Sequence, residues 1–241
     1  MSREILLSHR ETWKKKPLLR LLYSQWYEQI AAELVDGTTL EIGGGSGNLK
    51  EFAPHVICSD LVEVPWLDVA ADAQCLPFTN NSFDNIVLFD VIHHLELPCR
   101  FLDEAQRVLR PGGRIVIMDP YVSWASWPVY HFLHAEPVDL GQNPFVEKAP
   151  SADRKPFDAN QALSRLLFEK HMSAFQQRYH DLQIKSKHYL SFIAYPLSGG
   201  FDHPSLLPMV VAKGILRLER LLEPLGRFMA FRILITLEKT D

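Results

Sequence analysis

The stretch Thr38–Leu49, TTLEIGGGSGNL, constrains this chain more than any other. A short apolar run with one acid, Glu41, ends in Gly43, Gly44, Gly45 and Gly47, four of the chain's twelve glycines. Glycine tolerates positive φ and lets backbone approach a ligand closely, because it has no Cβ. A strand that ends this way and feeds a helix offers free N–H groups at the helix start. Phosphate loops use this geometry, but their patterns fail here. No Gly-Lys-Ser/Thr follows, and Asn48 stands where a dinucleotide fingerprint needs glycine or alanine. An acid inside the strand end favours a ligand with a cationic amino group over a pyrophosphate.

The surrounding sequence alternates strand and helix. HVICSD, residues 69–71, FDNIVLFD and RIVIMD read as further strands, and SGNLKEF and PCRFLDEAQRVLR as helices. Pro111-Gly112-Gly113 is expected to stop the second of these helices. Such alternation over 38–119 predicts a parallel sheet with helices on both faces and a ligand site beyond the carboxyl ends of the strands. Residues 120–157 hold six of sixteen prolines with several aromatics, and read as a cap containing a short helix over 127–135. Residues 158–179 read as helical, LQIKSKHYL as a sixth strand, 207–225 as a helix and RFMAFRILITLEK as a closing strand. The expected organisation is one domain over 1–241. It comprises an N-terminal helical cap (1–36), a cofactor-binding half (37–120), a cap insertion (121–180) and C-terminal strands and helix (181–241).

The 241 residues carry a formal charge of −4, with no broad basic surface, so a nucleic-acid partner is not expected. No apolar run reaches the roughly 18 residues of a membrane span, and the charged N-terminus is unlike a secretory signal. Stable membrane insertion is therefore not expected. Cys58, Cys75 and Cys99 suggest neither a disulfide framework nor a zinc site, which makes a reducing cytoplasm the default compartment. The sequence leaves the oligomeric state open.

LEIGGGSGNL resembles the first motif of class I S-adenosylmethionine-dependent methyltransferases, and four further motifs follow in order through residue 120. The resemblance implies a Rossmann-like α/β fold. Its sheet would have seven strands, mostly parallel, with an antiparallel C-terminal edge strand and a helical cap after strand five. It implies S-adenosylmethionine as cofactor and a small-molecule acceptor. The cofactor residues it implies are Glu41, Gly43, Gly44, Gly45, Gly47 and Asn48 around the bend. Asp60 and Leu61 would stand at the ribose, Asp72 and Ala73 at the adenine, and Phe89 and Asp90 at the methionine part.

Methyl transfer to an oxygen needs a base, and histidine suits that role near neutral pH. His93 and His94 follow strand four directly, and Asp119 ends strand five, so these three are the candidate catalytic group. A purely structural role for the histidines stays open, as do N- or C-methylation without a base and a non-catalytic cofactor-binding protein. Candidate acceptor-binding residues are Tyr23, Tyr27, Tyr121, Trp124, His131 and His134. His131, His134, Glu136 and Asp139 have spacing that could hold a metal, but none is expected.

Overall fold

The computed structural model describes residues 2–146, 151, 158–201 and 203–240. Two helices, Ser2–Lys15 (α1) and Pro17–Glu33 (α2), precede the strands Thr39–Ile42 (β1), Ile57–Asp60 (β2), Val69–Ala70 (β3) and Phe83–Phe89 (β4). Pro98–Val108 (α3) leads into Leu109–Pro120 (β5). The cap holds Trp127–Phe132 (α4), then Leu163–Arg165 (α5), which runs on as a π turn over Leu166–Lys170, and Met172–Arg178 (α6). Leu182–Leu190 (β6), Ala194–Ser198 (α7), Met209–Glu219 (α8), a 3-10 turn over Arg220–Leu225, Gly226–Met229 (α9) and Arg232–Lys239 (β7) complete the chain. The part of the cap insertion over 147–150 and 152–157 lies outside the described residues.

The strands form one seven-stranded sheet in the order β3-β2-β1-β4-β5-β7-β6. From β3 to β5 every pairing is parallel, whereas β7 runs antiparallel to both β5 and β6. The expected antiparallel C-terminal strand is thus β7, one place in from the edge, and β6 forms the edge itself. Side chains alternate between the faces as the pleat requires. Ile86, Leu88, Ile115, Ile117, Ile233 and Ile235 pack on the face covered by α3, against Phe101 and Leu102. Val87, Phe89, Val116, Met118 and Leu234 pack on the other, under Leu19, Leu22, Trp26 and Ile30 of α2. Strands buried on both faces read as continuous apolar runs, which is why FDNIVLFD and RIVIMD were legible.

Several local expectations change. SGNLKEF makes only a 3-10 turn, Asn48–Glu51, because Pro54 disfavours helical backbone just before it. Pro111-Gly112-Gly113 does not separate helix from strand. The backbone turns extended at Leu109, and the three residues form an irregularity inside β5, between the pairs Phe83↔Leu109 and Asn85↔Arg114. The segment expected as one helix over 158–179 is broken by the π turn. Residues 227–229, expected as the start of the last strand, instead belong to the short helix Gly226–Met229.

Candidate active site

A cavity of about 1250 Å³ opens over the carboxyl ends of β1, β2 and β4 and reaches the cap and α7. A single small-molecule pocket is typically ~300–1,000 Å³, so this space has room for two ligands.

One end is the glycine bend. Gly43, Gly45 and Gly47 all take positive φ, at 68°, 46° and 74°. A Cβ on Gly43 would lie 2.2 Å from Val91 Cγ2, and one on Gly44 would lie 3.0 Å from Glu41 Oε2 and 3.3 Å from Cys58 Cβ. Backbone and carboxylate therefore share a space that no larger residue would leave open. Glu41 is buried, and the thiol of Cys58 donates to its Oε2 at 2.8 Å. Burial pushes the Glu41 carboxyl up to about 7; the Cys58 hydrogen bond opposes this and the charge of Asp60 adds to it. Asp60 braces the bend from β2, accepting Gly45 N–H at 3.0 Å and Val62 N–H at 2.9 Å. The Trp66 indole closes the bend from outside by donating to Gly45 O at 2.8 Å. Leu61, exposed at the cavity wall, offers an apolar surface beside Asp60. Asp72 caps its own turn by accepting Gln74 N–H at 2.8 Å, and Ala73 is buried behind it. Asn48 is buried, its amide donating to Ser46 Oγ at 2.8 Å.

The other end is a buried polar cluster. His93 Nδ1 lies 2.7 Å from Asp119 Oδ1, and Ser164 Oγ donates to Asp119 Oδ2 at 2.7 Å. The opposite ring nitrogen of His93, Nε2, lies 3.5 Å from Glu136 Oε2, and His94 Nε2 lies 3.8 Å from Glu136 Oε1. Burial works against a charged His93, but Asp119 and Glu136 outweigh it and push its pKa up to about 10. Burial, reinforced by the charge on His93, pushes His94 down to about 4. Burial also disfavours ionised Glu136, yet the hydrogen bond and charge of His93 carry it down to about 2. These shifts favour a cationic His93 between Asp119 and Glu136, beside a neutral His94. The loop of Glu136 is fixed from the 160–161 segment: Gln161 N–H donates to Pro137 O at 3.0 Å, and Asp139 N–H to the side-chain Oδ1 of Asn160 at 2.9 Å. The Gln161 amide nitrogen also donates to Glu136, while its Oε1 is buried with no hydrogen-bond partner among the described residues.

Between the two ends, Phe89 forms the floor with Tyr23 stacked on it at 5.2 Å between centroids. Asp90, at φ 57°, turns its carboxylate to the guanidinium of Arg232 and to the Tyr23 hydroxyl at 3.4 Å. Arg232 is buried, with its charge 4.5 Å from the Trp26 ring centroid.

The site brings together most of the expected residues and rejects three. Tyr23, Tyr27 and His134 line the cavity. Tyr121 does not: it is buried on the α3 side, where its hydroxyl donates to Glu169 at 3.0 Å. Trp124 points outward, 78% exposed. His131 stacks on Trp127 at 4.7 Å on the outer face of α4. The metal pattern read from His131 to Asp139 also dissolves, since Asp139 accepts Gly141 N–H at 2.7 Å instead. The set that does converge is His93, His94 and Glu136, whose ligand atoms lie within 4.8 Å of one another. Sequence reasoning missed Gln161, for which no pattern existed, and Arg232, a lone charge inside the apolar run AFRILITL that was a visible signal.

Comparison with known proteins bears on the fold and the family. The family described as Methyltransferase domain matches residues 40–117. The chain is 32% identical over 122 residues to a phthiotriol/phenolphthiotriol dimycocerosates methyltransferase of Mycobacterium leprae, covering 49% of this chain and 43% of that one. It is 31% identical over 115 residues to a demethylmenaquinone methyltransferase of Clavibacter sepedonicus, covering 42% and 47%. The matched part thus spans less than half the length of these relatives. Among solved structures it superposes on the 1,6-didemethyltoxoflavin-N1-methyltransferase of Burkholderia thailandensis, solved with S-adenosylhomocysteine, at TM-score 0.50 and 15% identity, over 100% of this chain and 87% of that one. At that identity the likeness shows the fold.

Proposed function

We propose, from the premise that this chain belongs to the class I S-adenosylmethionine-dependent methyltransferases, that it methylates a hydroxyl oxygen of a small molecule carrying an apolar body. The cofactor, S-adenosylmethionine, supplies an electrophilic methyl group on a positively charged sulfur when bound. The residues at the glycine bend fit that group. Glu41 is a buried carboxylate with a single thiol partner among the described residues, which suits an ammonium group. Asp60 uses one lone pair of each oxygen on backbone and keeps others for ribose hydroxyls.

One observation carries the oxygen reading: His93 is backed by Asp119 at 2.7 Å and points its other nitrogen toward the same cavity as the glycine bend. Asp119 fixes the ring with Nδ1–H donated and Nε2 facing the acceptor side. An acceptor hydroxyl seated between His93 and Glu136 would separate that pair, which lowers the pKa of His93 and makes Nε2 available for the acceptor proton. Asp119 then stabilises the imidazolium that forms. The aromatic floor and Tyr130, Tyr195 and Phe231 exclude water and hold the acceptor's apolar part. The name of one relative, a demethylmenaquinone methyltransferase, favours a second reading, transfer to a ring carbon of a quinone-like acceptor, in which cationic His93 would stabilise the adjacent phenolate.

The test is methyl transfer from labelled S-adenosylmethionine to long-chain alcohols, phenols and hydroquinones, with the product's methyl group located by NMR. An O-methyl product that disappears in Asp119→Asn supports the proposal. A C-methyl product selects the second reading, and cofactor binding without any transfer contradicts both.

A further inference from the structure

The C-terminal helices leave an apolar face with no cover from the other described residues. Along α8 and the turn after it, Val210 and Leu221 are 84% and 75% exposed, and Val211, Leu218 and Leu225 are exposed beside them. Val210, Leu218, Leu221 and Leu225 fall on one face at helical spacing, with Gly214 in the gap between the first two, so these side chains form one stripe rather than scattered exceptions. The face extends beyond the helix. Phe228 is exposed, and its carbonyl accepts Ala125 N–H at 3.1 Å, which sets the exposed Trp124 next to α9.

Two features say what covers this face. The first is charge. Residues 209–229 carry four basic side chains against two acids in a chain whose overall charge is −4. One of the acids, Glu219, is buried and accepts the backbone N–H groups of Ile193 and Ala194 at 2.6 Å each. Lys213, Arg217 and Arg220 are exposed and form no ion pair among the described residues. The second is continuity with the cavity. Leu133 and Leu206 line its mouth while each is 74% exposed, and Leu206 stands three residues before α8 begins. Apolar surface therefore runs from bulk solvent to the lip of the acceptor space.

We infer that this face docks the protein on an anionic membrane surface, with the stripe on α8 set among the lipid headgroups and Lys213, Arg217 and Arg220 facing lipid phosphates. No described helix is long and apolar enough to cross a membrane, so the contact is interfacial. Combined with the methyl-transfer reading, on which this part rests, the acceptor is a membrane amphiphile. Its hydroxyl-bearing head enters the cavity past Leu133 and Leu206 while its tail stays in the bilayer.

The experiment is co-sedimentation of the full chain with phosphatidylcholine vesicles, with and without phosphatidylglycerol. The expected result is binding to the anionic vesicles that weakens as salt rises. Val210→Asp/Leu221→Asp should reduce partitioning at least tenfold. Lys213→Glu/Arg217→Glu/Arg220→Glu, which leaves the stripe intact, should reduce it by at least about a hundredfold. S-adenosylhomocysteine binding, read by calorimetry on the same samples, should be unchanged in both variants. Wild-type protein that ignores both vesicle types overturns the inference. So does a concentration-dependent dimer, abolished by Val210→Asp/Leu221→Asp, in place of vesicle binding. Vesicle binding without S-adenosylhomocysteine binding would sink the methyl-transfer reading and leave the docking surface standing.

Discussion

The glycine bend with its neighbouring strand ends, and the cluster of His93, Asp119, Glu136 and Gln161, stand at two ends of one cavity, yet they are built differently. The first wall is mostly backbone: left-handed glycines, strand ends and two carboxylates held by N–H and S–H donors. The second is side chains carried on a cap, where His93 and Asp119 at the strand ends meet Glu136 and Gln161 from the insertion. A backbone site tolerates few residue types at each position. A side-chain site on a cap can be rebuilt residue by residue. The pairing suits an enzyme that keeps one cofactor and varies its acceptor.

The largest expected effect tests the side-chain wall. Asp119→Asn keeps the shape but removes the charge that orients His93 and stabilises its cationic form. Turnover should fall about 100- to 10,000-fold, the range a general base contributes, while the affinity for S-adenosylhomocysteine stays within about twofold. Equal losses in both would mean that the two walls do not work separately.

The backbone wall should respond in the opposite sense. Glu41→Gln removes a buried charge opposite the cofactor's ammonium group. A charge-assisted hydrogen bond is worth roughly 1.5–3 kcal/mol, so affinity should drop about 10- to 150-fold with little change in turnover at saturation.

Glu41 also sets a pH dependence. With its carboxyl near 7 in the free protein, only the ionised fraction receives the ammonium. Affinity should be flat above pH 7 and fall about tenfold per unit below it. The sign for stability is opposite. Because the folded-state pKa is raised, the buried acid favours the fold most below pH 4.5. That contribution, about 3 kcal/mol, fades as pH rises to 7. The added stability from S-adenosylhomocysteine, read as a Tm shift, should therefore be larger at pH 8 than at pH 6.

The smallest effects sharpen the border of the site. Tyr121→Phe breaks the bond to Glu169 and should lower stability by about 1 kcal/mol without altering KM. His131→Ala, on the outer face of α4, should leave both within error.

The same contrast explains what the sequence revealed. Gly43, Glu41 and Asp60 were legible because a glycine-rich bend behind a strand admits few structural explanations. The parallel sheet with helices on both faces followed from the alternation, and the pairing of His93 with Asp119 from their places after adjacent strands. Tyr121 and Trp124 were misplaced because aromatic content says nothing about which way a cap side chain faces. Tyr121, directly after β5, sends its ring into the core, whereas Trp124, in the turn over 124–126, leaves its ring in solvent. Gln161 was invisible, because its contact with Glu136 joins two loops across 25 residues with no shared periodicity. Arg232 was overlooked although a single charge in a buried strand demands a partner, and that partner is Asp90.

Whether the two walls meet at the transferred methyl group is tested most directly by a crystal structure with S-adenosylhomocysteine. It should show the amino group on Glu41, the ribose on Asp60 and the sulfur turned toward His93 Nε2 across a gap one acceptor atom wide. A nucleoside bound elsewhere, or a sulfur facing away from His93, would contradict it.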